Sequence, residues 1–133
     1  MTEQIDTAPI DFSQDDPVQQ IMDATTGQGD SGVEAVGWQA HDSTGEEHPE
    51  LVLDNLVQVV KVHGGIGVLG VGGIYMPHDP GGPTELAQQG RLARDCGTFF
   101  TKGQRMGTGQ APVKRYNRQL RDLIIAGRAT PGF

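Results

Sequence analysis

The run Gly65-Ile66-Gly67-Val68-Leu69-Gly70 spells G-x-G-x-x-G within the most apolar stretch of a 133-residue chain. Glycines at that spacing bind a dinucleotide pyrophosphate when a strand leads into them and a helix opens at the last one, so that free N–H groups point at the phosphates. The second condition fails here. After Gly70 the chain continues Val71-Gly72-Gly73-Ile74-Tyr75-Met76-Pro77 and then Asp79-Pro80-Gly81-Gly82-Pro83, which is strand and turn chemistry. The run therefore reads as a buried strand, rich in glycine because something approaches its backbone closely.

The other residue types capable of chemistry are dispersed. A catalytic metal needs three protein ligands converging on one point, and His41, His48, His63, His78 and Cys96 show no paired spacing, so no metal site is expected. Cys96 has no histidine at a spacing that marks a nucleophile pair, and an isolated thiol ordinarily serves as a small buried apolar group. Asp11, Asp15, Asp16 and Asp23 read as solvated or capping carboxylates. No catalytic residue is assigned.

Composition narrows the class further. The length suits one domain, and a hydrophobic content of 35% with 5% aromatics makes for a thin core. A single cysteine excludes an internal disulfide and suits a reducing compartment. Met1 to Phe12 has neither a basic region nor an apolar run, and no stretch reaches the length of a membrane span, so the chain is expected to be cytoplasmic and to bind no membrane. The net charge of -7 hides an asymmetry: residues 1–60 hold thirteen acids and no Lys or Arg, whereas residues 61–133 hold ten basic and four acidic side chains. Such halves attract when folded together. The basic half lacks interleaved aromatics beyond Tyr116, which argues against nucleic acid as a partner.

The elements that must position these residues can be read along the chain. Ala8 to Phe12 is expected to be a short extended segment, because Pro9 removes a donor and biases Ala8 away from helix. Asp16 and Pro17 open a helix that carries Val18, Ile21 and Met22 and ends near Thr26-Gly27. Gly29-Asp30 reads as a turn, and Gly32 to Gly37 as a strand entering a loop from Trp38 to His48. Acids in that loop favour the N-terminus of a helix from about Pro49 to Val62, whose apolar residues cover most of its circumference and imply burial between a sheet and another element. Gly64-Gly65 is expected to stop it. Ile66 to Val71 reads as a strand covered on both faces, Leu86 to Leu92 as a helical turn, and Thr98 to Gly107 as extended. Pro112 opens a last helix with Val113, Tyr116, Leu120, Leu123 and Ile124 on one face and Lys114, Arg118 and Arg121 on the other, ended by Gly127 and Pro131. Alternating strands and helices indicate an α/β domain with a parallel sheet.

Four stretches, at residues 32–41, 64–71, 97–105 and 107–120, resemble the zinc-dependent medium-chain alcohol dehydrogenases, and within them the glutathione-independent formaldehyde dehydrogenase type. The most specific is Gly107-Thr108-Gly109-Gln110-Ala111-Pro112-Val113-Lys114-Arg115-Tyr116-Asn117-Arg118-Gln119-Leu120. The resemblance covers roughly residues 8 to 133 and implies the later part of an NAD-binding Rossmann domain, a partial parallel sheet flanked by helices and lacking the first two strands. An acidic segment at residues 1–30, with one strand and one helix, would be loosely attached to the partial domain at 31–133. The resemblance implies that Val36 and His41 pack against the adenosine side of NAD. It puts backbone at Leu69 and Val71 near the nicotinamide, and the turn of Gly109, Gln110 and Ala111 against the cofactor. The family's zinc ligands, its pyrophosphate loop and its acidic ribose ligand have no counterpart here, and Gly72-Gly73-Ile74 looks like an insertion. The function implied is a fragment of an NAD-dependent formaldehyde or alcohol dehydrogenase, inactive alone. Its implied partners are a separately encoded catalytic domain and, as in the family, further copies of itself. The alternative is a non-catalytic nucleotide- or protein-binding domain.

Overall fold

The computed structural model describes residues 8–25, 27–37, 39–69 and 84–129. In chain order these form α1 (Pro17–Ala24), β1 (Gly29–Glu34), α2 (Leu51–Val59), β2 (Val60–Val68), α3 (Glu85–Gln88), α4 (Cys96–Thr101), β3 (Arg105–Thr108) and α5 (Val113–Ile125). The three strands make one sheet in the order β1-β2-β3, with both pairings parallel. This is the expected α/β arrangement, a partial parallel sheet with helices packed on it.

The core lies between α2 and one face of the sheet. Leu53, Val57 and Val59 of α2 are buried with Val60, Ile66 and Val68 of β2, while Val18 and Ile21 of α1 close over them together with Leu56, Leu92, Phe99 and Met106. Packing of this kind supplies most of a short helix's stability, since nine residues are too few to hold a helix in water. Gly32 belongs to the face turned toward α2, where a Cβ would press on the Leu56 side chain. Val33, on the opposite face, is 58% exposed, so that side of β1 is open.

Several boundaries differ from the sequence reading, each for an identifiable reason. The helix expected over 49–62 stops at Val59, and Val60 is already extended with φ -80° and ψ 133°. The last carbonyls of α2 are taken by distant side chains: Lys102 Nζ donates to Val57 O at 2.7 Å and Gln58 O at 2.8 Å, and Gln104 Nε2 donates to Val57 O at 3.0 Å and Val60 O at 2.7 Å. Strand β2 therefore begins at Val60, and Gly64 and Gly65 lie within it rather than ending a helix. Its first residues are irregular. Gly29 pairs with Val60 but Ser31 with Gly65, His63 takes φ 62°, and the His63 N–H donates to Lys102 O at 2.9 Å.

The strand expected over 98–107 is first a helix. Asp95 caps α4 by accepting from the Thr98 N–H at 3.0 Å, and this local cap overrides the β-branched and aromatic run of Thr98, Phe99, Phe100 and Thr101. Only Arg105–Thr108 pairs as β3. Gly29 and Asp30 belong to β1 instead of a turn, because pairing with β2 and the Asp30–Lys61 ion pair extend the strand backwards, while its far end stops at Glu34. Residues 8–12 form no strand: among the described residues no neighbouring strand offers them a ladder, and Asp11 instead accepts from the Ser13 hydroxyl and N–H. The caps of α1 are as expected, with Asp16 accepting from the Val18 N–H and Pro17 at the first position. Gly127, at φ 65°, ends α5. The expected insertion at Gly72-Gly73-Ile74, the end of the expected strand at Gly70 and Val71, His78 and Pro131 lie outside the described residues.

Candidate functional site

Parallel pairing brings the C-terminal ends of all three strands to one end of the sheet. Glu34 is level with Val68, and Val68 with Thr108. The residues that follow, Val36, Leu69 and Gly109, therefore leave the sheet side by side, and the Leu69 N–H donates to Glu34 O at 2.9 Å. Loops at this end of an open α/β sheet are where ligands bind. Of the seven residues singled out in the sequence, Val36, Leu69, Gly109, Gln110 and Ala111 are exposed along this end. Gly109 has φ 148° and no heavy atom within 4 Å of where a Cβ would stand, so the main chain there is open to approach. Val71 lies outside the described residues.

The turn that carries Val36 is fixed by Glu34. Its side chain is buried at 3% exposure, and one carboxylate oxygen accepts from the N–H groups of Val36 at 2.7 Å and Gly37 at 2.6 Å. The other oxygen is buried without a partner. Nothing in the local pattern of β1 singled out this residue; a buried acid at the end of a strand, followed two residues later by a sharp turn, is the only signal the sequence holds.

Beside that turn lies a cleft of about 440 Å³. It is lined by Ile10 and Phe12, Ile21 of α1, and Leu51, Val52, Leu56 and Val59 of α2, together with Val36 and His41 beyond the end of β1. Asp15, Asp16, Asp42, Ser43 and Asn55 are its polar groups. The Phe12 ring meets the His41 ring edge-on, with centroids 5.3 Å apart and planes at 80°. Of the sequence-predicted residues the cleft brings together Val36 and His41; Leu69, Gly109, Gln110 and Ala111 do not line it.

The loop behind His41 is a hairpin. His41 bridges Glu47, the Asp42 N–H donates to Glu46 O at 2.9 Å, and Gly45 takes φ 87° to close the turn. Asp42 accepts from the Thr44 hydroxyl and from the N–H groups of Thr44 and Glu46, and these bonds, with the nearby His48, hold its carboxyl below the ordinary value. Ligand atoms of Asp42, Glu46 and His48 consequently lie within 4.8 Å of one another, a convergence that spacing alone did not reveal. The arrangement closes the turn at the surface, with His48 Nε2 3.5 Å from Asp42 Oδ2. Cys96 is exposed, and no histidine or carboxylate joins it in a ligand cluster among the described residues.

The residues present fit part of a dinucleotide and do not fit a catalytic zinc centre. The cleft, with a volume of about 440 Å³ and a largely apolar lining that includes carboxylate and hydroxyl acceptors, has room for a flat heterocycle. By contrast, in the group of Asp42, Glu46 and His48 the Asp42 carboxylate is already taken by the Thr44 hydroxyl and the N–H groups of Thr44 and Glu46. The glycines of the fingerprint-like run sit inside β2 instead of at a helix N-terminus: Gly65 has open space on its side-chain side, and the backbone crowding falls on the preceding Gly64, where a Cβ would stand 2.8 Å from Asp30 O and 2.9 Å from Lys61 O. Among the described residues, no helix is long and apolar enough to cross a membrane.

No protein-family model matches the chain. It is 39% identical over 121 residues to the formaldehyde dismutase of Pseudomonas putida, a match covering 87% of this chain and 30% of that protein. It is 36% identical over 124 residues to the glutathione-independent formaldehyde dehydrogenase of Pseudomonas aeruginosa, covering 89% and 30%. Among solved structures, the alcohol dehydrogenase TADH from Thermus sp. ATN1 superposes with a TM-score of 0.58 at 22% identity, over 92% of this chain and 28% of that one, which is a likeness of fold. The chain spans about a third of the length of the relatives it matches. The chain is thus similar to one part of the formaldehyde dismutase and of the glutathione-independent formaldehyde dehydrogenases, and it folds as a partial parallel sheet like that of an alcohol dehydrogenase.

Proposed function

We propose that the chain is part of the NAD-binding region of a formaldehyde- or alcohol-dehydrogenase-type oxidoreductase and has no dehydrogenase activity by itself. The observation that carries this reading is the alignment of Val36, two residues past the end of β1, with Leu69 and Gly109, which directly follow β2 and β3, beside a cleft that Val36 lines together with His41. Val36 and His41 wall the adenosine side. Backbone at Leu69 and Val71 and the turn of Gly109, Gln110 and Ala111 border the nicotinamide side. NAD, when bound, supplies the hydride acceptor; these residues hold and orient it. Zinc chemistry and the pyrophosphate loop would come from the remainder of such an enzyme. The assembly is cytoplasmic and homo-oligomeric.

Titration of the isotopically labelled chain with NAD and with AMP tests the reading. Both ligands should shift the amide signals of Val36 and His41, and NAD alone those of Leu69 and Gly109. Unchanged spectra at millimolar NAD overturn cofactor binding, and formaldehyde oxidation by the purified chain overturns inactivity. A second reading, a non-catalytic protein-binding domain, is favoured by one observation: β1 pairs with β2 on one side and with no strand on the other among the described residues.

A further inference from the structure

The sheet is covered on one face only. Gly32, Ile66 and Met106 form a row on the side of α2, whereas the rows Ser31, Gly65, Arg105 and Val33, Gly67, Gly107 belong to the other side. A Cβ at Gly67 would lie 3.7 Å from Val33 Cγ2, and one at Gly65 or Gly107 would meet nothing within 4 Å. Leu69, next in the alternation of β2, is 61% exposed, and no helix packs on this side among the described residues. The result is a floor of glycine main chain with Val33 and Leu69 standing on it. A parallel sheet ordinarily has both faces covered.

Helix α5 is the long element left without a packing partner. None of its residues is buried, yet Val113, Tyr116, Leu120, Leu123 and Ile124 form one apolar stripe, with Tyr116 43% and Leu120 55% exposed. A helix of this length is marginal in water by itself and draws its stability from burial of such a stripe. Between the end of β3 at Thr108 and the start of α5 at Val113 lie only Gly109, Gln110, Ala111 and Pro112. A connection of this size is the usual one between a strand and the helix that packs back on its sheet. Gly109, at φ 148° with open space around it, leaves the connection free to turn.

We propose that α5 is a lid with a second position, folded back antiparallel to the strands with Tyr116 and Leu120 seated over the row of Val33, Gly67 and Gly107. The glycines let the large side chains of the helix approach the main chain closely. A helix about 20 Å long covers this row and the next, and its C-terminal carbonyls then fall toward Arg105. Lys114, Arg118 and Arg121, on the opposite side of the helix, stay in water. So short a tether holds the stripe near its own sheet at an effective concentration on the order of millimolar, which favours this seat over one on a second copy at micromolar concentration. On the cofactor reading given above, the docked lid covers Leu69 and leaves the cleft of Val36 and His41 open. The contact itself does not depend on that reading, and its test uses no nucleotide.

The methyl-labelled full chain at about 100 μM, below the effective concentration of the tether, should show nuclear Overhauser contacts from Leu120 or Ile124 to Val33 or Leu69. In a mixture of one chain labelled only in α5 with another labelled only at Val33 and Leu69, these contacts should vanish. The amides of α5 should exchange about tenfold faster in Leu120→Glu and in Val33→Lys than in wild type, with protection of β2 unchanged. Leucine and glutamate have similar helix propensity, so a free helix is indifferent to the first change. The second change is not on the helix at all. If Val33→Lys loses the protection of β2, the contacts and Leu120→Glu decide. Equal exchange of α5 in wild type and Leu120→Glu, contacts that persist in the mixture, or contacts to Val33 from Ile74 or Met76 in place of α5 overturn the proposal.

Discussion

Lys102 Nζ donates to the carbonyl oxygen of Val57 at 2.7 Å, so the C-terminal end of α2 is closed by a cation forty-five positions further along the chain. A helix C-terminus carries unpaired carbonyls and partial negative charge, and an ammonium group there answers both. The bond also fixes where α2 gives way to β2, and through β2 it fixes the strand end on which Leu69 stands.

Replacing Lys102 with Met keeps the aliphatic stem and removes the donor. The expected loss is about 1–2 kcal/mol of unfolding free energy, read from urea titration. Gln104→Leu should cost a similar amount, and the double variant less than the sum, since both side chains serve the Val57 carbonyl.

Burial holds the Lys102 ammonium below its ordinary value of 10.5. The unfolded chain therefore takes up its proton more readily than the folded one, so this group's contribution to stability rises as pH climbs from the folded value toward 10.5. The advantage of wild type over Lys102→Met, compared by urea titration from neutral pH upward, should widen in that window and stay constant below it. Parallel curves throughout would contradict the assignment.

The acid side runs the other way. Hydrogen bonding and charge from Lys61 lower the Asp30 carboxyl, and the Thr98 hydroxyl and N–H lower that of Asp95. Their contributions are complete above the ordinary value of 3.8 and are lost as pH falls through the folded values. Carbon-detected titration of the carboxyls should find Asp30 returning toward its ordinary value in Lys61→Met, with Asp95 unmoved.

Glu34→Ala removes the acceptor for the Val36 and Gly37 N–H groups. The expected cost is about 2–3 kcal/mol, with the amide signals of the Val36 turn broadened and the AMP response at Val36 and His41 lost. Glu34→Gln retains one acceptor oxygen and should recover most of both. An alanine variant as stable as wild type would show that the turn is held by something else.

Gly64→Ala and Gly65→Ala form a matched pair. The first puts a methyl group against the Asp30 and Lys61 carbonyls and should cost about 1–3 kcal/mol; the second meets open space and should change little. A fingerprint role for Gly65 predicts that Gly65→Ala, though equally stable, is blind to NAD.

Residues 8–12 lie outside the sheet, and their amides should exchange with solvent faster than those of β2. Protection equal to that of Ile66 and Val68 would show that the acidic N-terminal segment is an integral part of the domain and not a loose attachment.

What the residues determined by themselves is what local chemistry determines. Asp16 and Pro17 open α1, Pro112 and Gly127 bound α5, and the apolar stretches in between are enough for an α/β parallel sheet. Three features departed from the local pattern, two through contacts from afar and one through a cap that outweighed composition. The valine run at 57–62 is compatible with helix and strand alike, and Lys102 and Gln104 set the boundary within it. The residues after Asp95 favour a strand by composition, and the cap made them a helix. His41, Val36 and Phe12 are distant or unremarkable in sequence, and only the packing of residues 10–12 over α2 joins them in one cleft. Periodicity and caps act within a few residues of the chain, so the sequence fixes element types through them. Boundaries and concave sites arise from hydrogen bonds and apolar contacts between segments tens of residues apart, and only the folded chain brings those together.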